Sequence, residues 1–531
     1  MKAEPRDTST TSSSPERKPE ATPTAVIDIG TNAIRMAVAE IDDTGNVRVL
    51  DNLAQAVDLG RDTFTRGIIR KSTIEECARI LRSYRQFLQE YQITREDRIR
   101  VVATSAVREA ENSLAFVDRI FIATGLQVEP LDEAEVNRVT YLSVQPLLAT
   151  EPRLTDARTM VCEVGGGSTE LLVVQKENVL FSKTYRLGSI RLRETLNAYR
   201  APTVKLRHLM ESQITLTIEE IIEHVSRDGP IEILALGGDA RFAASELVPN
   251  WTPGQLARVP VEALSRLADQ VLSMTTGKLV QRYHLTPSDA ETLGPALLAM
   301  VELTKAFTTQ HLWVANVNMR DGLLMQMAAK GQRAEHFDNQ IIRSAMDLAR
   351  KFDCDEAHAR HVAELSRTLF RALQNEHHLE PRHELFLYLA ALLHESGMYI
   401  SNASHHKHSM YLIANSEIFG LRKEDLRLMA LVARYYRRAA PKPNHPGYAT
   451  LDRKQRVAVT KMAALLRIAD ALDCSRSQRV GEIECLREHG RLVILVPGVD
   501  DLSLEQIAVS QKGTLFEDTF GMPVLLRTTG R

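Results

Sequence analysis

Three turns in this sequence combine an acid with glycine. Asp28-Ile29-Gly30-Thr31-Asn32 and Glu163-Val164-Gly165-Gly166-Gly167-Ser168-Thr169 each close a short apolar run, and Leu236-Gly237-Gly238-Asp239 adds a third glycine turn. Glycine lets backbone N–H groups approach an anion closely, and a carboxylate at the end of each run can hold a divalent cation that offsets phosphate charge. One Asp-x-Gly turn alone reads as a plain hairpin bend; the paired occurrence with a third glycine turn points to a phosphate cradle. Histidine is the other chemical signal: 11 of the 16 lie between His336 and His445. Imidazoles crowded in this way suggest metal chemistry.

The surrounding elements must position these turns. AVIDIG reads as a short buried strand, followed after its turn by the alternating IRMAVAEI, so Asp28 falls at the bend of a hairpin. MVCEVGGGS followed by TELLVVQ repeats the pattern, which predicts an internal repeat and two similar α/β halves. Between them lie a helix over STIEECARILRSYRQFLQEY, with apolar Ile74, Cys77, Ile80, Leu81, Tyr84 and Leu88 on one face, a strand over RIRVVAT, and a helix from about Leu131 to Leu148. Alternating strands and helices predict mostly parallel sheets. Beyond about Met327 amphipathic helices dominate from about Asn339 to Ala471, and RLVILVPG and VLLRTT return to strand.

At 531 residues the chain is long enough for three or four domains. The divisions expected are a disordered tail over residues 1–22, rich in Ser, Thr, Pro and charge, α/β domains over 23–148 and 149–328, a helical domain over 329–478, and a small β-containing piece over 479–531. Lys plus Arg number 66 against 68 Asp plus Glu, so the net charge of −2 excludes a general electrostatic case for nucleic acid and makes any anion site local. The longest apolar run, around Phe386 to Leu393, is far short of the roughly 20 residues that span a bilayer, so no membrane association is expected. Cys77, Cys162, Cys354, Cys474 and Cys485 form no C-x-x-C pair, which fits a reducing cytoplasm.

The paired turns resemble those of the actin, sugar kinase and heat-shock chaperone superfamily, whose actin-like (ribonuclease H-like) domains present two such hairpins across a cleft. Within it, AVIDIGTNAIRMAVAEI, VVATSAVREAENS, GGGSTELLVV, YRLGSIRL and NMRDGLL, in that order, resemble the exopolyphosphatase/guanosine pentaphosphate phosphatase family. That resemblance implies two actin-like domains, a metal-dependent phosphoanhydride hydrolase and a homodimer. It places the general base on the first glutamate of a Gly-x-Glu-Glu-Ala pattern. Here the stretch reads Glu133-Ala134-Glu135-Val136-Asn137, so the base falls on Glu135, with Glu133 in place of the glycine and Val136 in place of the second glutamate. Arg35, Arg108 and Arg320 match the family's arginines and would fork phosphate, together with the backbone at Gly30, Thr31, Asn32, Gly165, Gly166, Gly167 and Ser168. Asp28, Glu163 and Glu170 would hold Mg2+ or another divalent cation. Glu163 replaces the family's usual aspartate, moving the carboxylate out by one methylene, and Asp239 puts an acid where small hydroxyl residues are usual.

The back half resembles the helical domain of HD-type metal phosphohydrolases, with His358, His394, His408 and Asp470 in the corresponding places. The His-Asp pair itself reads His394-Glu395. A second metal site at His358, His394, Glu395, His408 and Asp470 is one reading. The reading preferred is an HD-like extension, as in long members of the same phosphatase family, that helps form a channel for a polyanionic chain without catalysis of its own. Arg434, Arg437, Arg438 and Lys442 would suit the wall of such a path.

The function expected is cytoplasmic exopolyphosphatase, releasing terminal orthophosphate from inorganic polyphosphate. Guanosine pentaphosphate is the alternative substrate. From other classes, an ATP-binding kinase of the superfamily would need an adenosine pocket, against which the crowded Gly-Gly-Asp-Ala-Arg turn argues, and a noncatalytic polyphosphate or alarmone sensor would release no phosphate from any substrate.

Overall fold

The computed structural model describes residues 21–198, 203–227, 229–329 and 332–529. Of the expected disordered tail, residues 1–20 lie outside the described residues, and Thr22 already belongs to the first strand.

Two sheets share one pattern. The first consists of β1 (Thr22–Ile29), β2 (Ala33–Ile41), β3 (Val47–Ala56), β4 (Ile99–Ala103) and β5 (Val128–Pro130), in the order β3-β2-β1-β4-β5. The second consists of β6 (Arg158–Val164), β7 (Thr169–Gln175), β8 (Asn178–Tyr185), β9 (Ile231–Leu236), β10 (Ala257–Pro260) and β11 (His311–Val314), in the order β10-β11-β9-β6-β7-β8. In both, a three-stranded antiparallel meander continues into two parallel strands, so β3-β2-β1-β4-β5 matches β8-β7-β6-β9-β11 and β10 is an added edge. The repeat is therefore present, but the sheets are mixed where mostly parallel ones were expected. The first two acid-glycine turns are tight hairpins, and a tight hairpin makes its strands antiparallel. β1 and β6 sit centrally, which is why their sequences are near-continuous apolar runs rather than alternating ones.

Contacts divide the chain into two units, Met1–Pro130 with Asn318–Lys330, and Leu131–Val317 with Gly331–Arg531. The first break thus falls near 130, earlier than the expected 148. Packing gives the reason: Tyr141, Val144 and Leu148 of the Glu133–Thr150 helix share a core with Val161, Leu172 and Trp313 of the second sheet. The Met319–Ala328 helix returns to the first unit, where Gln326 accepts from Arg100 at 2.5 Å.

Helices dominate beyond residue 331 as expected. They pack Val362, Leu389, Val432 and Leu466 into one core, which also takes Phe516 from the Thr514–Phe520 helix and Ile494 and Leu526 from the C-terminal sheet β12 (Glu484–Glu488), β13 (Arg491–Pro497) and β14 (Val524–Thr529). The helical region docks on the second sheet through Gln340, which bonds the main chain at Glu177 and Val179, and through Phe419, whose ring meets Tyr141 edge-on at 5.7 Å. Among the described residues no helix is long and apolar enough to cross a membrane.

Candidate active site

In the first unit, Asp28 lies next to the end of β1, directly opposite Arg35 on β2. The turn between them is closed by Gly30 N–H donating to the Ala33 carbonyl at 3.0 Å and is tied to the following segment by Val57 N–H and Gly60 N–H, which donate to Asn32 and Thr31 carbonyls. Carbonyls are thereby turned inward. Among the described residues, the N–H groups of Thr31 and Asn32 find no protein acceptor. A Cβ on Gly30 would come within 3.2 Å of the Ala33 oxygen and 3.4 Å of the Arg35 guanidinium, so the tight turn needs glycine.

Asp28 is 7% exposed, and its Oδ1 is buried with no hydrogen-bond partner among the described residues. Its Oδ2 lies 3.5 Å from the Arg320 guanidinium, whose Nε is also buried without a partner. A buried polar atom left unmatched costs about 1–3 kcal/mol, so this loose pair is arranged for something that binds between or beside it. Arg320 is aimed by a capping box at the start of its helix, in which Asn318 Oδ1 accepts from Arg320 N–H at 3.0 Å and Asp321 accepts from Asn318 N–H at 2.8 Å. Tyr84 donates to the Ile34 carbonyl at 2.9 Å beneath the hairpin; burial pushes its hydroxyl up to about 12, with the nearby charges of Arg35 and Arg320 opposing. Arg108 follows β4 on the short Ser105–Glu109 helix, beside the same strand end, where Thr104 N–H donates to the Ile29 carbonyl.

The second unit repeats the device. Gly165 N–H donates to the Ser168 carbonyl at 2.9 Å, and the carbonyls of Gly165 and Gly166 accept from Ser189, Ile190 and Arg191 N–H groups. Arg191 Nε takes the Gly167 carbonyl at 2.7 Å. Among the described residues, Gly166 and Gly167 N–H find no protein acceptor. The clamp needs Gly188, where a Cβ would stand 2.4 Å from the Gly167 carbonyl carbon. Glu163 and Glu170 are directly opposed across β6 and β7, and Ser168 Oγ donates to Glu170 at 2.6 Å. Like charges directly opposed are unfavourable unless a cation joins them. The third glycine turn reaches this acid: Gly237, at φ +97°, would place a Cβ 3.6 Å from Glu163 Cγ. Asp239 stands in the first turn of the Gly238–Leu247 helix.

Glu135 lies in the first turn of the Glu133–Thr150 helix, whose N-cap, Asp132, accepts from Glu135 N–H at 2.9 Å. Burial raises the Asp132 carboxyl above its ordinary value, against that hydrogen bond. Arg138, one turn on, forks both oxygens of Glu135. Val136 is 3% exposed and faces the core, so a second glutamate there would be buried. Arg138 as the partner of Glu135 was not anticipated, although its i,i+3 spacing is a usable signal.

In the helical region, His358 on the Glu356–Ala372 helix, His394 capping the Arg382–Leu393 helix, and Asp470 on the Arg453–Leu472 helix bring one ligand atom each within 4.8 Å of one another. His358 Nε2 is 3.6 Å and His394 Nε2 3.7 Å from Asp470 Oδ1. Glu395 stands beside them, 4.0 Å from His358 Nε2, but both its oxygens are forked by Arg476 at 2.6 and 2.8 Å. His408 is outside the converging group. Burial disfavours the charged form of His358, but the surrounding carboxylates of Asp470, Asp473 and Glu395 outweigh it and raise the imidazole to about 9. Asp473, Arg476 and Lys512, the last paired with Asp470 Oδ2, were not anticipated as parts of this cluster; Asp473 alone carried a signal, three residues beyond Asp470.

Comparison with known proteins agrees with this architecture. The Ppx/GppA phosphatase family matches residues 22–331, and the Ppx/GppA phosphatase domain III matches residues 342–494. A guanosine-5'-triphosphate,3'-diphosphate pyrophosphatase of Photobacterium profundum is 22% identical over 427 residues, 80% of this chain and 82% of that protein. One of the same name from Pseudoalteromonas atlantica is 21% identical, over 77% of this chain and 78% of the relative. Among solved structures, an exopolyphosphatase from Cytophaga hutchinsonii shares the fold with a TM-score of 0.53 at 20% identity, covering 58% of this chain and 98% of that one. An exopolyphosphatase-like protein gives a TM-score of 0.51 at 21% identity, covering 58% and 98%. With the family matched over more than half its length and the domain III match following, the chain belongs to the Ppx/GppA phosphatase family, in its long form.

Proposed function

We propose that this chain hydrolyses phosphoanhydride bonds and releases terminal orthophosphate from inorganic polyphosphate. The observation that carries the reading is the duplicated hairpin: two acid-ended strands, each closed by the same glycine N–H bond, each leaving two consecutive N–H groups without an acceptor. Consecutive N–H groups with no acceptor among the described residues suit phosphate oxygens, and in the first unit Arg35, Arg108 and Arg320 supply positive charge for them.

Each unit taken by itself offers carboxylates that fit a divalent cation, magnesium being our assignment. Asp28 offers a buried, unpartnered oxygen, and Glu163 and Glu170 form a directly opposed pair that a cation would reconcile. Such an ion, when bound, supplies charge neutralisation on the nonbridging oxygens. Glu135 takes a proton from the attacking water, and the Arg138 fork holds its carboxylate in place. The water oxygen forms the new P–O bond, the bridging P–O bond breaks, and the shortened chain leaves as the anion. The five free cysteines fit a cytoplasmic setting.

Guanosine pentaphosphate is the second substrate reading, favoured by the names of the two curated relatives. Orthophosphate release measured side by side from polyphosphate, guanosine pentaphosphate and ATP tests both. Higher kcat/KM on polyphosphate is expected; a preference for the pentaphosphate would reverse the substrate order, and release from none would overturn the hydrolase.

A further inference from the structure

We propose that the helical region holds a single divalent transition-metal ion, liganded by His358 Nε2, His394 Nε2 and Asp470 Oδ1, that pins three helices together and takes no part in phosphate hydrolysis. The three side chains are almost fully buried, at 2%, 1% and 5% exposed, and among the described residues both Nε2 atoms lack a hydrogen-bond partner. Burying two bare imidazole nitrogens that converge on one carboxylate oxygen is costly unless something binds there.

The outer contacts orient both imidazoles toward that point. His394 Nδ1 is 2.6 Å from the Ala391 carbonyl, which fixes its proton on Nδ1 and leaves the Nε2 lone pair facing inward. His358 Nδ1 is 2.8 Å from Asp473, whose carboxylate is itself held by Gln478 at 2.9 Å. A carboxylate or carbonyl behind each ligating histidine is the usual support of a metal site. The 3.6 and 3.7 Å separations from Asp470 are within a few tenths of the roughly 3.3 Å expected between ligands of a tetrahedral ion with bonds of about 2.0–2.1 Å. Two imidazoles with one carboxylate favour zinc, cobalt or iron over magnesium or calcium, which prefer oxygen. Charge agrees, because Asp470, Asp473 and Glu395 meet only Lys512 and Arg476 among these contacts.

The same contacts limit the site to one ion. Lys512 pairs with Asp470 Oδ2, and Arg476 pairs with both oxygens of Glu395, so two fixed positive charges already stand where a second cation would have to bridge. The edge of Tyr436 packs on the His394 ring at 4.7 Å and its hydroxyl bonds His405, closing another side. Two-metal hydrolysis needs a bridged pair about 3.5–4 Å apart, which this arrangement lacks.

The test uses the full chain, stripped with chelator and titrated with Co2+. One equivalent should produce a visible ligand-field absorption that Zn2+ displaces, present in Asp28→Asn but lost in His394→Gln and Asp470→Asn. Should those variants fail to fold by circular dichroism, X-ray absorption at the zinc edge of wild-type protein decides, with two imidazoles and one carboxylate oxygen expected in the first shell. A stripped chain that takes up no Co2+ or Zn2+, an absorption unchanged in folded His394→Gln, or a first shell without imidazole would overturn the proposal and leave a proton-linked histidine–carboxylate network in its place.

Discussion

Asp28 and Arg320 show what a residue can disclose only in three dimensions. Their types suggested metal and phosphate binding, but the unmatched Oδ1 and Nε are facts of packing. Because the pair stands incomplete, removing the carboxylate charge should damage function more than folding. Asp28→Asn is expected to lower kcat on polyphosphate by about 10²-fold or more, as loss of a preorganised electrostatic group does, with the far-UV spectrum unchanged. Glu135 was placed by motif, and its departures from the motif have different explanations. Val136 points into the core, so its identity follows from burial, whereas no contact explains Glu133 in place of glycine. The fork from Arg138 holds the carboxylate proposed as base, so Arg138→Gln should lower kcat with little change in KM and should alter the pH profile of kcat, whereas a purely structural role would leave that profile unmoved.

At the scale of elements, periodicity located the long helices well. The Lys71–Glu90 helix buries the six residues its sequence nominated, because an amphipathic stripe on an isolated helix has one way to face a sheet. Sheet direction was less readable: apolar runs mark a covered strand, but only the tight turn between β1 and β2, or β6 and β7, dictates the antiparallel pairing. Helix ends depend on remote groups that no local pattern announces. Arg467, 2% exposed, donates to the Tyr435 and Ala439 carbonyls at 2.8 Å each and so satisfies the end of the Lys423–Tyr435 helix. Burial alone lowers its guanidinium to about 10. Arg467→Met should therefore cost roughly 1–3 kcal/mol in urea unfolding, the price of carbonyls left unpaired. Nearby, burial and then the charges of His405 and Arg437 lower His406 from 6.5 to about 4. The unfolded chain binds this proton first, so stability falls as pH drops from about 6.5 toward 4. His406→Gln should flatten that decline when unfolding is compared at pH 7 and pH 5.

Across the whole molecule, the near-zero net charge of −2 hides opposite local tasks, acids at the strand ends and arginines at the turns. The crowded histidines likewise divide on inspection. His358 and His394 converge with Asp470, His377 accepts from Leu379 N–H and meets the Phe370 carbonyl, and His405 and His445 bond tyrosine hydroxyls. Composition could show the crowding but not this division, because the decisive partners are distant in sequence, Asp470 for His358 and His394 and Tyr436 for His405. The duplicated hairpins, by contrast, were readable in full, since each is a local strand-turn-strand whose glycines and acid are contiguous in sequence. Domain breaks were read only approximately: the Glu133–Thr150 helix follows the first sheet in sequence yet packs on the second. In the proposed mechanism Glu135 activates water for phosphoanhydride hydrolysis. Steady-state orthophosphate release from polyphosphate, with saturating Mg2+, by wild type and Glu135→Gln tests it most directly. A fall in kcat of about 10²–10⁴-fold with KM little changed is expected, and an undiminished kcat in the variant would show that Glu135 is not the base.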